Sequence, residues 1–337
     1  MVLGGTVRFF SLRQKSYLLL SLFCVWGLIE VGATFLLPVV PEPIYTLDNP
    51  DRLMPFHPER IWTLQPDVYY KDRGVLYHHD SQGLRAHELD DKPLIVGVGD
   101  SSTYGFGVTA EASYLHQTAL CAGMGLINGG ISGYSSSQSR ILLQDILERT
   151  EGVEWVVVAN LWSDLMFAEQ PDDVFLQELR EVDAHHKRLK KGFWTSSRVF
   201  QLLNRIWFSA FHSLPPPTSV YTLLKGEGEV RRVSKMHYIE NMMAMAELSH
   251  EYGAKVVFLQ HPTNRALFED ADPIAQDYRH GLDAAASKAG FMVLDMDMVY
   301  QPLPKRALKD RFLDEVHPSI QGHADIASEL CELIRGD

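Results

Sequence analysis

The chain is short of cysteine, of positive charge and of clustered metal-ligating side chains. It holds three cysteines in 337 residues, Cys24, Cys121 and Cys331. They stand far apart and show no metal-ligand spacing, which argues against a cysteine-rich zinc or redox motif. Cys121 and Cys331 fall in predicted helices and read as small core residues. A bond between them is allowed, but nothing in the sequence requires it. Basic residues number 31 against 43 acidic ones, for a formal net charge of −12. Phosphate backbones are bound through clustered Lys and Arg, so nucleic acid is excluded as a partner. His78-His79-Asp80 comes nearest to a metal site, and adjacent polar residues in a loop are ordinarily just solvated. No metal is assigned.

Apolar sequence is abundant at the start of the chain. From Tyr17 to Val40 it is almost wholly apolar, through Leu18, Leu19, Leu20, Leu22, Phe23, Val25, Trp26, Leu28 and Ile29. A bilayer core needs roughly 20 such residues. Arg8, Arg13 and Lys15 precede the run, and Pro41, Glu42, Pro43 and Asp48 follow it. The positive-inside rule then leaves residues 1–16 in the cytoplasm. It makes residues 17–40 a single-pass signal anchor in the inner membrane and puts the rest in the periplasm or outside the cell. A cleaved signal peptide is the rival reading. It calls for a shorter apolar region and a small-x-small site, and Gly32-Ala33-Thr34 is a poor one. A lipoprotein fails because Phe23 stands before Cys24, where a small residue is needed. Glu30 lies inside the apolar run, where an ionised group costs about 2.5–3.5 kcal/mol on insertion scales. It either reaches the outer interface or meets a partner helix.

Residues 41–92 are rich in Pro, Asp, His and Tyr without a sustained period, and read as an irregular extension draped over the main domain. The main domain, residues 93–337, alternates short apolar runs with helical patterns. Leu94–Val98, Gly125–Asn128, Glu154–Asn160, Lys255–Gln260 and Phe291–Met296 read as strands. Ala112–Ala122, Ser136–Arg149, Ser234–Tyr252 and Ser319–Ile334 read as helices. This predicts an α/β fold of about five parallel strands covered on both faces. Residues 165–233 break the rhythm and read as a helical insertion. Its Trp194, Trp207, Phe208 and Phe211 either pack the insertion down or line a pocket.

The first strand runs into Gly99-Asp100-Ser101-Ser102-Thr103, which sets a serine hydroxyl at the carboxyl end of a buried strand. Open α/β sheets place ligands there. Far downstream, Asp314-Glu315-Val316-His317-Pro318 supplies a carboxylate and an imidazole at a spacing that puts both on one side of a helical turn. Pro318 suits the first turn of the helix that follows. A nucleophile, a base and its orienter follow from these two segments. Asp100 reads as a loop-fixing acceptor. His261, after the fourth strand, reads as a structural histidine at a sheet end, and His237 and His250 as helix-surface or packing residues.

The ordered blocks Gly99-Asp100-Ser101-Ser102, Asn128-Gly129-Gly130-Ile131-Ser132-Gly133 and Asp314-x-x-His317-Pro318 resemble those of the SGNH (GDSL) hydrolases over about residues 93–334. An anchor followed by an irregular extension resembles the membrane-anchored bacterial branch of that family. The resemblance implies a three-layer, flavodoxin-like α/β/α fold, Ser101 as nucleophile with Asp314 and His317, and oxyanion donors at the Ser101 and Gly130 amides. It implies no cofactor. The family's Gly-x-Asn-Asp block is replaced here by Asn160-Leu161-Trp162-Ser163-Asp164, so Asn160 or Ser163 is the candidate third donor, with Asn160 favoured. The implied activity is hydrolysis of acyl esters, O-acetyl among them, on a glycan or lipid. The alternatives are an O-acyltransferase acting on a cell-surface glycan and a catalytically inactive envelope scaffold.

Overall fold

The computed structural model describes residues 12–36, 53–57, 59–89, 93–190, 197–200, 202–203, 228–264 and 273–336. Trp194, Trp207, Phe208 and Phe211 of the insertion lie outside them. The chain divides into two compact units, one of residues 1–46 with 181–216, the other of residues 47–180 with 217–337.

In the first unit, helix α1 (Leu12–Leu36) contains an apolar stretch, Ser16–Phe35, of mean hydropathy 2.0, long enough to cross a bilayer. Glu30 of this helix is hydrogen-bonded within the chain. Its carboxylate accepts from the Ser197 hydroxyl at 2.8 Å and from the backbone amides of Arg198 and Val199, where a helical segment of the same chain begins.

The second unit is built on a parallel sheet of five strands. The extension comes first. It is less irregular than its composition suggests, because two antiparallel pairs form within it. These are β1 (Phe56–His57) with β2 (Ile61–Trp62), and the hairpin of β3 (Tyr69–Asp72) with β4 (Val75–His78). Then follow β5 (Leu94–Gly99), α2 (Ser101–Tyr104), α3 (Tyr114–Ala122), β6 (Gly125–Gly130), α4 (Ser136–Arg149) and β7 (Val153–Ala159). The insertion is closed at its base by the short pair β8 (Phe167–Ala168) and β9 (Val230–Arg231), and carries α5 (Asp172–Lys190). The chain ends with α6 (Lys235–Glu251), β10 (Lys255–Gln260), α7 (Pro273–Ala289), β11 (Met292–Asp295), α8 (Met296–Tyr300), α9 (Lys305–Lys309) and α10 (Ile320–Gly336).

The strand order is β11-β10-β7-β5-β6, every pair parallel. Counting only these strands in chain order, the sheet runs 2-1-3-4-5, the flavodoxin-like order. The order reverses between β5 and β7, and a doubly wound sheet opens its ligand crevice outside the carboxyl ends at that place. Alternation along the strands feeds two cores. Ile95, Trp155, Val157, Val257 and Leu259 pack with Leu115, Ala119, Ile326 and Leu330 of α3 and α10. Val96, Val98, Val156, Val158 and Phe258, all fully buried or nearly so, face the other way, where α4 and α6 contact the sheet.

The two cysteines in α3 and α10 are not merely core fillers. Cys121 and Cys331 form a disulfide across a sequence separation of 210, with Cα atoms 6.2 Å apart. Helix packing brings them together, and no local spacing signals that.

Candidate active site

The serine turn is built by competing demands on four residues. Asp100 caps α2, its Oδ1 accepting from the Ser102 amide at 3.0 Å, and Gly105 ends the single turn in the left-handed region at φ 79°. Ser102 and Thr103 are buried, and Thr103 Oγ1 donates to the Ala159 carbonyl while accepting from the Tyr114 hydroxyl. Ser101, half-buried, is the residue left facing outward. Burial raises the Asp100 carboxyl to about 6, opposed by the Ser102 amide.

The second half of the site is a bend. Asp314 and His317 do not share a helical turn. A bridge between Phe312 and Pro318, with the Leu313 amide donating to the His317 carbonyl at 2.9 Å, folds the segment back on itself. Ser319 takes the cap of α10, its hydroxyl accepting from the Gly322 amide, so Pro318 stands before the helix and not in its first turn. Asp314 Oδ1 accepts from the amides of Val316 at 3.0 Å and His317 at 2.9 Å. Burial alone would raise this carboxyl, but those amides and the imidazole outweigh it and hold Asp314 below the ordinary value. Asn264 Nδ2 donates to the Asp314 carbonyl at 2.8 Å and steadies the bend from β10's side.

These two pieces meet. His317 Nδ1 lies 2.8 Å from Asp314 Oδ2, and His317 Nε2 lies 2.8 Å from Ser101 Oγ. With the proton on Nδ1, the imidazole donates to the carboxylate and accepts from the serine hydroxyl. The Phe106 ring packs against His317 with centroids 4.7 Å apart.

The residues around the expected oxyanion position are less simply arranged. Gly130 has another task. Its amide donates to Asn128 Oδ1 at 2.9 Å, and a Cβ there would stand 2.2 Å from the Tyr104 backbone nitrogen. Glycine is needed so that the end of β6 can press against the serine turn. Three residues on, Gly133 adopts φ 79°, and no described backbone carbonyl accepts from its amide. Asn160 is buried at 2 % exposure and spends its Nδ2 on the Tyr134 carbonyl at 3.2 Å. Ser163 is also buried, and Asp164 holds the start of α4, accepting from the Ser136 amide and hydroxyl.

Two arginines that the sequence did not single out lock this region. Arg85, from the extension, is buried and donates to the carbonyls of Tyr104, Gly105 and Val108, all within 2.6 Å, which fixes the backbone just after the serine. Arg232, at the end of the insertion, is fully buried and paired with Asp172 at 2.8 Å, and its Nη1 donates to the Gly133 carbonyl at 2.7 Å. A single arginine in an extension or at the end of an insertion carries no sequence signature, so only the fold reveals either role.

The other histidines go elsewhere. His261 is buried against Tyr114, and burial lowers it to about 3, so it is neutral at physiological pH. His79 is bound between the Gln65 carbonyl and the Tyr104 hydroxyl, His78 stacks on Tyr69, and Asp80 accepts from the Gln82 and Leu84 amides. His237 lies 3.3 Å from Asp173 on the surface, and His250 packs edge-on to Phe291.

The chain belongs to the GDSL-like lipase/acylhydrolase family, whose model matches residues 98–324. That span begins at the last residues of β5 and ends inside α10, so it takes in both halves of the site. No curated protein matches the chain. Among solved structures it is similar to a lipolytic G-D-S-L family protein from Veillonella parvula, at 13 % identity and TM-score 0.46, over 71 % of this chain and 97 % of that one. It is also similar to the inhibitor-bound M. smegmatis aryl esterase, at 12 % identity and TM-score 0.44, over 72 % and 98 %. An acetylxylan esterase from Geobacillus stearothermophilus gives 13 % identity and TM-score 0.44, over 74 % and 97 %.

Proposed function

We propose that this chain is a membrane-anchored serine esterase that hydrolyses short acyl esters through an acyl-enzyme. The observation that carries the reading is the unbroken line of hydrogen bonds from Asp314 through His317 to Ser101 Oγ. His317 Nε2 takes the hydroxyl proton as Ser101 Oγ bonds to the ester carbonyl carbon. Asp314 stabilises the imidazolium so formed. Collapse of the tetrahedral adduct breaks the bond to the alcohol oxygen, which leaves with the proton from Nε2. Water then repeats the sequence on the acyl-serine, and the carboxylic acid is released.

The oxyanion needs preset donors. The Ser101 amide opens a helix and therefore has no intrahelical carbonyl. The Gly133 amide, on a loop clamped by Arg232, is the second donor in this reading, because the Gly130 amide is already engaged. Asn160 is assigned to hold that loop through Tyr134.

Two features support an extracytoplasmic site. Basic residues precede the apolar stretch of α1, and a disulfide joins α3 to α10, as expected of a protein folded in an oxidising compartment. The test uses the full chain in detergent. It should hydrolyse p-nitrophenyl acetate and be labelled by a fluorophosphonate at Ser101. Ser101→Ala should lose both. Hydrolysis that persists in that variant sinks the reading.

A further inference from the structure

The extension hydrogen-bonds to the loop after Ser101, and its hairpin turn holds the informative residue. Asp72 pairs with Val75, so two residues, Arg73 and Gly74, make the turn between β3 and β4. Both have positive φ, 46° and 87°. A hairpin turn of this kind favours Asn or Gly at its first central position, and a long side chain there is sterically disfavoured. Asn at position 73 would suit the turn better. The backbone therefore gives no reason for arginine, and the reason must lie in what the side chain meets.

It meets the site. The Arg73 guanidinium carbon lies 5.1 Å from the centroid of the Phe106 ring, and the His317 ring, tilted by 45°, lies 4.7 Å from the same ring between centroids. The guanidinium and the imidazole that faces Ser101 thus contact one and the same aromatic ring. Stacking uses the face of a guanidinium and leaves its in-plane N–H donors available to an anion. Arg73 is exposed, as are the apolar Leu313 beside Gly107 and the neighbouring Asp72 and Glu315. The chain as a whole carries −12, so its general field repels anions. A cation placed at the mouth gives local recognition against that background.

Direction follows from the chemistry. The leaving alcohol oxygen takes its proton from His317 Nε2, so the alcohol portion of the ester lies on the imidazole's side, and Phe106 and Arg73 extend from that side. We propose that Arg73 is a specificity-determining residue that binds an anionic group, a carboxylate or a phosphate, on the alcohol portion of the substrate. This rests on the esterase reading above.

The test compares three esters on one aryl scaffold: para-acetoxybenzoate, its uncharged methyl ester, and para-acetoxyphenyl phosphate. For the full chain, Arg73→Gln should lower kcat/KM on the charged esters by about three- to tenfold, the range for an exposed charge-assisted contact. The methyl ester should be unaffected. Arg73→Asn should show the same loss of preference while melting no lower than wild type, because Asn suits the turn; a merely structural Arg73 would lower the melting temperature instead. Added salt should erode the wild-type preference. A carboxylate preference points to an acidic sugar, a phosphate preference to a headgroup. Equal losses on all three esters, or no loss, overturn the anion subsite and leave the esterase reading standing. Wild-type inactivity on all three overturns both.

Discussion

Two loops leave the same end of the same sheet, from the adjacent strands β5 and β7, and they do opposite things with their polar residues. After β5, Asp100, Ser102 and Thr103 turn inward and Ser101 is left to face outward. After β7, Asn160, Ser163 and Asp164 are all buried, and the carboxamide and carboxylate grip Tyr134 and Ser136 of the neighbouring loop and helix. The first loop presents one group to the crevice. The second braces the neighbouring loop and the start of α4. A polar residue at a strand end is therefore not enough to define a reacting group; its neighbours must use up the inward positions first.

The comparison breaks or sharpens under four substitutions. Ser101→Ala should reduce ester hydrolysis about 10,000-fold or more with the circular-dichroism spectrum unchanged. Gly130→Ala drives a Cβ into the serine turn, 2.2 Å from the Tyr104 nitrogen. It should cost about 3 kcal/mol in urea unfolding, since the nearest atoms it meets are all backbone of Thr103 and Tyr104 and leave little room to adjust. Asn160→Ala should cost about 1–2 kcal/mol by stripping the Tyr134 carbonyl of its donor, with turnover reduced less than about tenfold. A loss nearer 100–1000-fold at unchanged stability would instead make its amide an oxyanion donor and erase the contrast between the loops.

The smallest effect concerns pH. Burial raises Asp164 from an ordinary 3.8 to about 7, opposed by Ser136. The folded chain then keeps a proton that the unfolded chain gives up. The resulting stabilisation is present in full below the unfolded value and is lost as pH rises through the folded one. Asp100, raised to about 6, acts in the same direction. Asp164→Asn should therefore flatten the fall in urea midpoint between about pH 4.5 and pH 8. An unchanged slope would show that Asp164 is ionised throughout and that the brace is a helix-capping anion.

Much of this was legible beforehand, for physical reasons that also explain what was not. Parallel strands buried on both faces read as apolar runs, so Leu94–Gly99 and Lys255–Gln260 announced themselves. Ser101, Asp314 and His317 were marked by glycine, proline and spacing, which encode tight backbone. The hairpin at Tyr69–His78 carries no sequence signal, because its turn is Arg-Gly where Asn-Gly would mark it, and because its inward tyrosines find Tyr104 only in three dimensions. The Asp314 bend and a helical turn share i,i+3 spacing, so the sequence does not separate them. The bond between Cys121 and Cys331, and the reach of Arg85 and Arg232, depend on helix packing and long side chains that no local pattern records.

That sulfur bridge has a consequence for timing. It encloses everything from the second sheet strand to the bend that bears the imidazole, so it closes only after that stretch has been made and its two ends have come together. In a reducing compartment the ends of that stretch stay unlinked, and only the packing of α3 against α10 holds them together.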